Sequence, residues 1–598
     1  MSRQKQTSFG RVLLKMGRVQ PWRYAAALFL WTSIWTMPVL VGFITAYFFD
    51  ELLAGIQPSQ VVLVVVATFG YAAGRSLVIF LGMRNHGSLL FRAGATIRRN
   101  LLTRIFEMPG AAAVDETPGE IVSRFRDDVD HIVEPFDISV DFLGAAVSGT
   151  ISFIIFWSID PVITIAIAIP VVVVGVVSTQ MGGVIRRYRR AAREATEAIT
   201  GFLGETFAAT QAVKVAGTEQ PMLERFIALN AVRKKMMVRD RTLSEALHAV
   251  FRNTLNIGTG LILLLAAGRL NQTGSTGMTI GEFALFVYLL HVVSDASYFV
   301  GAFIARAKQG SVSVEKITRT MRGEPWTRAF EKTDLWLDAE PPPSAPATSD
   351  HPGFESLEVR GLSYTYPGSD NGITDVDLDI RRGEFVVVTG RIGSGKTTLL
   401  RTILGLLPAD SGTILWNGQA IDDPSSALVP PNAAYTPQVP KLFSMSLRDN
   451  LDLGADVSDH LMNESIYIAT MRHDVDLMPE GLETMVGPRG VRLSGGQIQR
   501  SASARMLTRD PRLLVLDDVS SALDVETEQI LWRRLYNARR EVAALVVSHR
   551  HAALARADRV IVMDGGRVVG VGSATELQES SDAFRAIWEG ALSATSPA

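Results

Sequence analysis

The stretch Phe385-Val-Val-Val-Thr-Gly390-Arg391-Ile392-Gly393-Ser394-Gly395-Lys396-Thr397-Thr398-Leu-Leu-Arg-Thr-Ile-Leu decides the fold of the second half of this chain. An apolar β-branched run ends in a glycine-rich loop, and the loop opens an amphipathic helical pattern. That strand-loop-helix context is what a phosphate-binding loop requires. The glycines let backbone N–H groups converge on phosphate oxygens, Lys396 neutralises their charge, and the Thr397 hydroxyl at the helix start suits Mg²⁺. Residues 390–398 are therefore the expected nucleotide cradle. From Leu357 onward, short apolar runs alternate with polar helical patterns, which predicts an α/β domain over 357–598.

Downstream, Leu513-Leu-Val-Leu-Asp517 is a second apolar strand, ending in a carboxylate placed to organise Mg²⁺. Asp518 follows at once. It reads either as a base that orients the attacking water or as a cap for the next turn.

Upstream, the composition changes. The 598-residue chain has a positive mean hydropathy, +0.19, although 20% of its residues are charged, so an apolar part is joined to an ordinary soluble one. Crossing a bilayer takes roughly 20 apolar residues in a helix. Six segments qualify: Ala25 to Phe49, Gln60 to Met83, Phe142 to Ile159, Pro161 to Ile185, Leu247 to Gly268 and Phe283 to Ala305. The third and fourth are separated only by Asp160, which predicts a very tight turn. Arg and Lys crowd the N-terminus, the stretch 84–126 and the stretch 186–241, whereas 50–59, 159–160 and 270–279 carry none. The positive-inside rule then puts both termini in the cytoplasm; the expected location is the cytoplasmic or inner membrane of a bacterium. The two long polar connectors read as helices protruding into the cytoplasm. Pro341-Pro342-Pro343 through Pro352-Gly353 marks a linker, so the expected organisation is a membrane domain over 1–325, a linker over 326–356 and the ATPase domain over 357–598.

A net charge of −2 and a pI near 6.5 argue against a general nucleic-acid binder, and the lack of cysteine excludes disulfides, thiolate metal sites and cysteine nucleophiles. Ionisable residues inside the spans, Arg75, Arg252, His291 and Asp295, are either elements of a transport pathway or residues at headgroup level or in structural pairs.

Leu493-Ser494-Gly495-Gly496-Gln497, lying between the phosphate loop and Asp517, resembles the signature of the ATP-binding-cassette family. Other elements match in order. Tyr366 resembles the aromatic that stacks on adenine, Gln438 the glutamine that senses Mg²⁺ and the membrane domain, His549 the switch histidine near the γ-phosphate, and Ser521-Ala-Leu-Asp524 the loop that crosses the dimer interface. Less specifically, Pro118 to Asp128 and Gly204 to Glu219 look like the cytoplasmic extensions of exporter half-transporters. The resemblance implies a six-helix α-helical transmembrane domain fused to an α/β P-loop ATPase, with ATP and Mg²⁺ as cofactors. It also implies alternating access in a dimer, each ATP held between the phosphate loop of one cassette and the signature of the other.

Two positions depart from the family pattern. Asp518 stands where most active cassettes have glutamate, and Pro488 where exporters usually have a glutamate that contacts the membrane domain. The first weakens the expected ATP site and favours a heterodimer with a second half-transporter over a homodimer. Small-molecule, lipid, peptide and metabolite substrates all stay open, as do an exporter-like importer, for example of siderophores, and a membrane regulator that binds ATP without turnover. A soluble signature-bearing ATPase of chromosomes would lack the six spans.

Overall fold

The computed structural model describes residues 9–110, 118–270, 278–337, 353–487, 490–538 and 541–595. The chain divides into two compact units. One holds Met1–Leu101 and Pro118–Leu335, the other Leu102–Thr117 and Trp336–Ala598.

The first unit is helical. Its helices are α1 (Phe9–Val19), α2 (Pro21–Thr36), α3 (Pro38–Ala54), α4 (Pro58–Glu107), α5 (Pro118–Ser123), α6 (Val129–Ile159), α7 (Pro161–Ala208), α8 (Thr210–Ala216), α9 (Glu219–Leu270) and α10 (Ile280–Thr320). The first expected span is α2 and α3, joined at Met37. Pro38 has no N–H to give the preceding turn, but Met37 keeps helical dihedrals (φ −52°, ψ −37°) and donates to the Ser33 carbonyl at 2.8 Å, so the rod is interrupted rather than ended. Among the described residues, three helical segments are long and apolar enough to cross a membrane: Pro21–Ala54, Pro58–Glu107 and Gly119–Ile159. The helices α7, α9 and α10 contain the other three expected spans, with shorter apolar windows described at Asn256–Leu265 and Ile280–Val293. The 50 residues of α4 reach about 75 Å, more than twice the ~30 Å hydrocarbon thickness, so its polar half extends well outside the bilayer.

The predicted tight turn has a physical cause. Asp160 caps α7, accepting from the N–H groups of Val162 (2.8 Å) and Ile163 (3.1 Å), while Pro161 takes the first helical position, where no donor is needed. In the core of this unit, Phe156 of α6 stacks on Phe286 of α10 with centroids 4.6 Å apart. Gly144 lets α2 approach α6, since a Cβ there would lie 2.7 Å from the Trp35 ring. Between α5 and α6, the buried Asp128 gathers Arg124 (2.8 Å), Ser313 (2.8 Å) and Lys316 (3.3 Å), tying one predicted cytoplasmic extension to α10. The other extension turns through α8, which Gly217 closes at φ 62°. Residues 326–335, expected in the linker, belong to this unit, with Ala329 and Phe330 buried.

The second unit contains two sheets. β1 (Ser356–Thr365), β2 (Gly372–Arg381), β4 (Ser411–Trp416) and β5 (Gln419–Ala420) form an antiparallel sheet in the order β2-β1-β4-β5. β3 (Phe385–Gly390), β6 (Ala433–Thr436), β7 (Leu513–Asp517), β8 (Ala543–Val547), β9 (Arg559–Asp564) and β10 (Arg567–Gly572) form the other, ordered β10-β9-β3-β8-β7-β6. All its pairs are parallel except β9 with β10. Side chains alternate between two cores. Phe385, Val387, Leu514, Leu516 and Val546 join a helical layer, while Val386, Val388, Val515 and Leu545 join β1, β2 and the helix Lys396–Ile403. Burial on both faces is why these strands are apolar throughout.

Candidate functional site

Register places the chemistry. Val388 of β3 pairs with Val547 of β8, Val547 with Asp517 of β7, and Leu516 with Thr436 of β6. The residues just beyond these strands, Gly390 to Lys396, Ser548 and His549, Asp517 and Asp518, and Gln438, thus emerge along one edge of the sheet. The carboxyl end of a parallel sheet is where open α/β folds bind ligands.

Gly390 is required by contact as well as conformation. At φ 152° a Cβ would lie 2.2 Å from the Met563 carbonyl oxygen. Gly393 (φ 85°) and Gly395 (φ 96°) turn the loop into the helix Lys396–Ile403. At the loop tip Arg391 and Ile392 are exposed. The Lys396 ammonium donates at 2.8 Å to the carbonyls of both Gly390 and Arg391, with Ser394 Oγ at 3.5 Å. Burial lowers its pKa, opposed by Asp518 and Asp517. Thr397 Oγ1 donates to Asp517 Oδ1 at 3.0 Å, and the Tyr435 hydroxyl to Asp517 Oδ2 at 3.3 Å. Gln438 Nε2 donates to Asp518 Oδ2 at 3.2 Å, while Asp518 Oδ1 is buried with no hydrogen-bond partner among the described residues. Desolvation raises both carboxyls above the ordinary range. Thr397 and Tyr435 oppose this at Asp517, and His549 and Gln438 at Asp518. The same burial, beside Asp517, pushes the Tyr435 phenol up to about 12. Asp518 takes a left-handed φ of 50°, uncommon for a residue with a Cβ, and its N–H donates to the Val547 carbonyl at 3.0 Å. His549 is exposed and makes no hydrogen bond among the described residues. Tyr366 approaches from the antiparallel sheet, its hydroxyl 3.3 Å from Thr398 Oγ1.

Ser494 caps the helix Gly495–Leu507 through a reciprocal box: its hydroxyl accepts from the Gln497 N–H, and the Gln497 side chain accepts from the Ser494 N–H. Ser494 and Gly495 are exposed, and Gly496 is half-buried. Asp524 caps the helix Val525–Ala538 by accepting from the Thr527 N–H at 2.9 Å, and this bond holds its carboxyl below the ordinary range.

A family model described as ABC transporter matches residues 373–521, and one described as ABC transporter transmembrane region matches residues 26–297. The chain belongs to the ABC transporters. Among relatives, it is 28% identical to the "Probable multidrug resistance ABC transporter ATP-binding/permease protein YheI" of Bacillus subtilis, over 74% of this chain and 72% of that one. It is 25% identical to the ATP-dependent lipid A-core flippase of Bordetella pertussis, over 97% and 90% of the two chains. A structure of a bacterial Atm1-family ABC exporter with ATP bound shares the fold, with a TM-score of 0.75 at 20% identity, over 96% of this chain and 99% of that one. This ABC transporter is thus an ATP-driven exporter of the fused type, and the soluble-ATPase reading falls.

Sequence reasoning missed several residues that hold the ABC transporter's site together. Gln499, one turn into the signature helix and buried, donates to Ser521 Oγ (2.9 Å) and accepts from the Ala522 N–H (3.0 Å), with the Gln438 carbonyl at 3.4 Å. One side chain therefore links the signature helix, the loop 521–524 and the loop carrying Gln438. Arg550, beside His549, donates to the Ser521 carbonyl (2.9 Å), the Leu523 carbonyl (3.2 Å) and the buried Glu528 (3.0 Å). Asp474 receives Gln497 at 3.0 Å and Arg500 at 2.7 Å behind the signature. No short-range pattern signals these partners. Nor does any motif single out Tyr435, which lies in β6.

In the membrane unit, the Arg75 Nε is buried without a hydrogen-bond partner among the described residues, and His291 is exposed. The side chains of Arg252 and Asp295, and Pro488, lie outside the described residues.

Proposed function

We propose that this ABC transporter binds Mg²⁺-ATP with residues 390–398, Gln438, Asp517, Asp518 and His549, and that it exports a small molecule, lipid, peptide or metabolite as one half of a dimer. The exposed signature carries this reading. Ser494 bonds within its own helix, and among the described residues no hydrogen bond joins it or Gly495 to the cluster around Lys396 and Asp517. Such a surface suits the ATP of another cassette, a second half-transporter. The distribution of Arg and Lys supports six crossings with both termini in the cytoplasm, and the bacterial relatives support a cytoplasmic or inner membrane.

The residues present fit both cofactors. Thr397 Oγ1 and Asp517 Oδ1 form an oxygen-only pair, suited to a hard divalent cation that brings its remaining ligands from phosphate and water. Among the described residues no cluster of three acidic, His or Cys side chains could hold an ion, in keeping with an ion that arrives with the nucleotide. Bound Mg²⁺ would neutralise charge on the transferred phosphoryl group and supply Lewis-acid stabilisation. The protein does the rest. Lys396 exchanges the Gly390 and Arg391 carbonyls for phosphate oxygens, and Tyr366 offers a face to adenine. Asp518, oriented by Gln438, would accept the proton of the attacking water through its second oxygen, and His549 would donate to phosphate. The raised pKa of Asp518 makes it a better proton acceptor once ionised, but its short side chain limits its reach.

That limit supports a heterodimer in which this chain's signature completes the more competent site of a partner. The decisive experiment is Mg²⁺-dependent ATP hydrolysis by this chain alone in lipid, beside Asp518→Asn and Lys396→Ala. Turnover lost in both variants would establish a self-sufficient homodimer. Turnover equal to that of the variants would support the missing partner, or a regulator that binds ATP without hydrolysing it, and a co-purifying half-transporter would separate these two.

A further inference from the structure

We propose that the start of the cytoplasmic half of α7 binds the phosphodiester headgroup of an anionic phospholipid. The inference rests on the membrane orientation proposed above, but not on ATP turnover. Arg186, Arg187, Arg189, Arg190 and Arg193 follow directly on the apolar run Pro161 to Ile185, with no acid between Arg186 and Arg193. All five are exposed, and none forms an ion pair or hydrogen bond among the described residues. Other arginines of the same unit behave differently: Arg98 pairs with Asp130 at 2.8 Å, Arg124 with Asp128 at 2.8 Å, Arg319 with Glu315 at 2.6 Å, and Arg306 with Glu134.

Three of the five are not merely adjacent in sequence. Helical spacing brings Gly183, Arg187, Arg190 and Glu194 to one face with Arg186 beside them, and these residues, with Ala191, line an open groove of about 500 Å³. A Cβ on Gly183 would meet nothing within 4 Å, so the membrane-side end of the groove is open. Three arginines and Glu194 leave two positive charges along it. Guanidinium groups present parallel donors that match the two free oxygens of a phosphodiester. Basic clusters just cytoplasmic of a span meet the anionic surface of the inner leaflet at this depth. A lipid there would brace α7 at the level where its apolar span gives way to its cytoplasmic rod.

The test is native mass spectrometry of the full detergent-solubilised chain with added phosphatidylglycerol, phosphatidylcholine or inorganic phosphate. Preferential retention of phosphatidylglycerol is expected. Replacing Arg186, Arg187 and Arg190 by Gln should weaken it on the order of a hundredfold, about fivefold per arginine. The corresponding triple Lys variant, which keeps the charges that orient the helix, should stay within about tenfold of the parent. Retained binding of a fluorescent ATP analogue in every variant checks folding and is independent of the lipid result. Equal retention of phosphatidylglycerol and phosphatidylcholine, or retention unaffected by the Gln changes, would overturn the proposal. Displacement of phosphatidylglycerol by millimolar inorganic phosphate would reassign the groove to soluble phosphate.

Discussion

Replacing Asp518 by Glu should raise the ATP turnover of this chain by roughly 10- to 100-fold. One carboxylate oxygen is held 3.2 Å from Gln438 Nε2, and the other is buried with no hydrogen-bond partner among the described residues, so the group is anchored on one side only. An added methylene advances that oxygen by roughly 1 Å, and a misplacement of that size around a reacting group costs about 10²-fold. The opposing effect is crowding. Asp518 is only 8% exposed and sits at φ 50°, and an extra methylene in a packed site typically costs about 1–3 kcal/mol, which a modest fall in Tm would register. The assay is Mg²⁺-dependent phosphate release by the purified chain in lipid, with Lys396→Ala as background and nucleotide binding measured in parallel. A folded, nucleotide-binding Glu variant that turns over no faster than the parent would refute the argument that side-chain length limits the site.

Because burial raises the Asp518 pKa, ionising it costs stability in the nucleotide-free fold: its favourable contribution is complete below the ordinary carboxylate value and is lost as pH rises through the raised one. Asp518→Asn should therefore raise the Tm of the nucleotide-free protein at pH 7, and by less at pH 4; an unchanged difference between the two would count against the desolvated carboxylate. In the presence of Mg²⁺, ATP affinity should fall as pH drops through the raised range of Asp517 and Asp518, while Asp518→Asn flattens part of that dependence in equilibrium titrations. Gln499→Ala removes the tie between the signature helix and the loop 521–524 and strands the Ala522 N–H, a cost of about 1–3 kcal/mol; turnover should drop further than ATP binding, and equal losses in both would argue for general unfolding. Gly390→Ala should abolish nucleotide binding, since its Cβ would overlap the Met563 carbonyl; normal binding of a labelled ATP analogue would contradict that geometry.

Much of this was readable without coordinates where the signal is local. The phosphate loop, the signature and the apolar spans rest on nearest-neighbour chemistry: glycines where φ is positive, a Ser-x-x-Gln box at a helix start, and unbroken hydrophobic runs for the strands buried on both faces. The turn at Asp160 was legible for the same reason, since a capping carboxylate followed by proline acts within three residues. What escaped detection was contact between residues far apart in the chain. Gln499 looks like any polar residue on a helix, and Arg550 like a neighbour of the more conspicuous His549, yet both fasten the loop 521–524 from opposite sides. Arg186 to Arg193 read only as a sign of orientation, because sequence cannot tell whether charges are paired.

By itself, then, the sequence determined that a membrane part precedes a phosphate-binding α/β part, because helix length, hydropathy and loop chemistry are encoded within windows of a few to twenty residues. Only the tertiary structure decided that Asp518 is buried, that Lys396 is held by its own loop, that the signature is exposed, and that the α7 arginines and one Asp518 oxygen have no partner among the described residues. The site's properties depend on which strands lie side by side, as β3 pairs with β8 across more than a hundred residues of chain, and those of the arginines on which side chains of neighbouring helices reach α7.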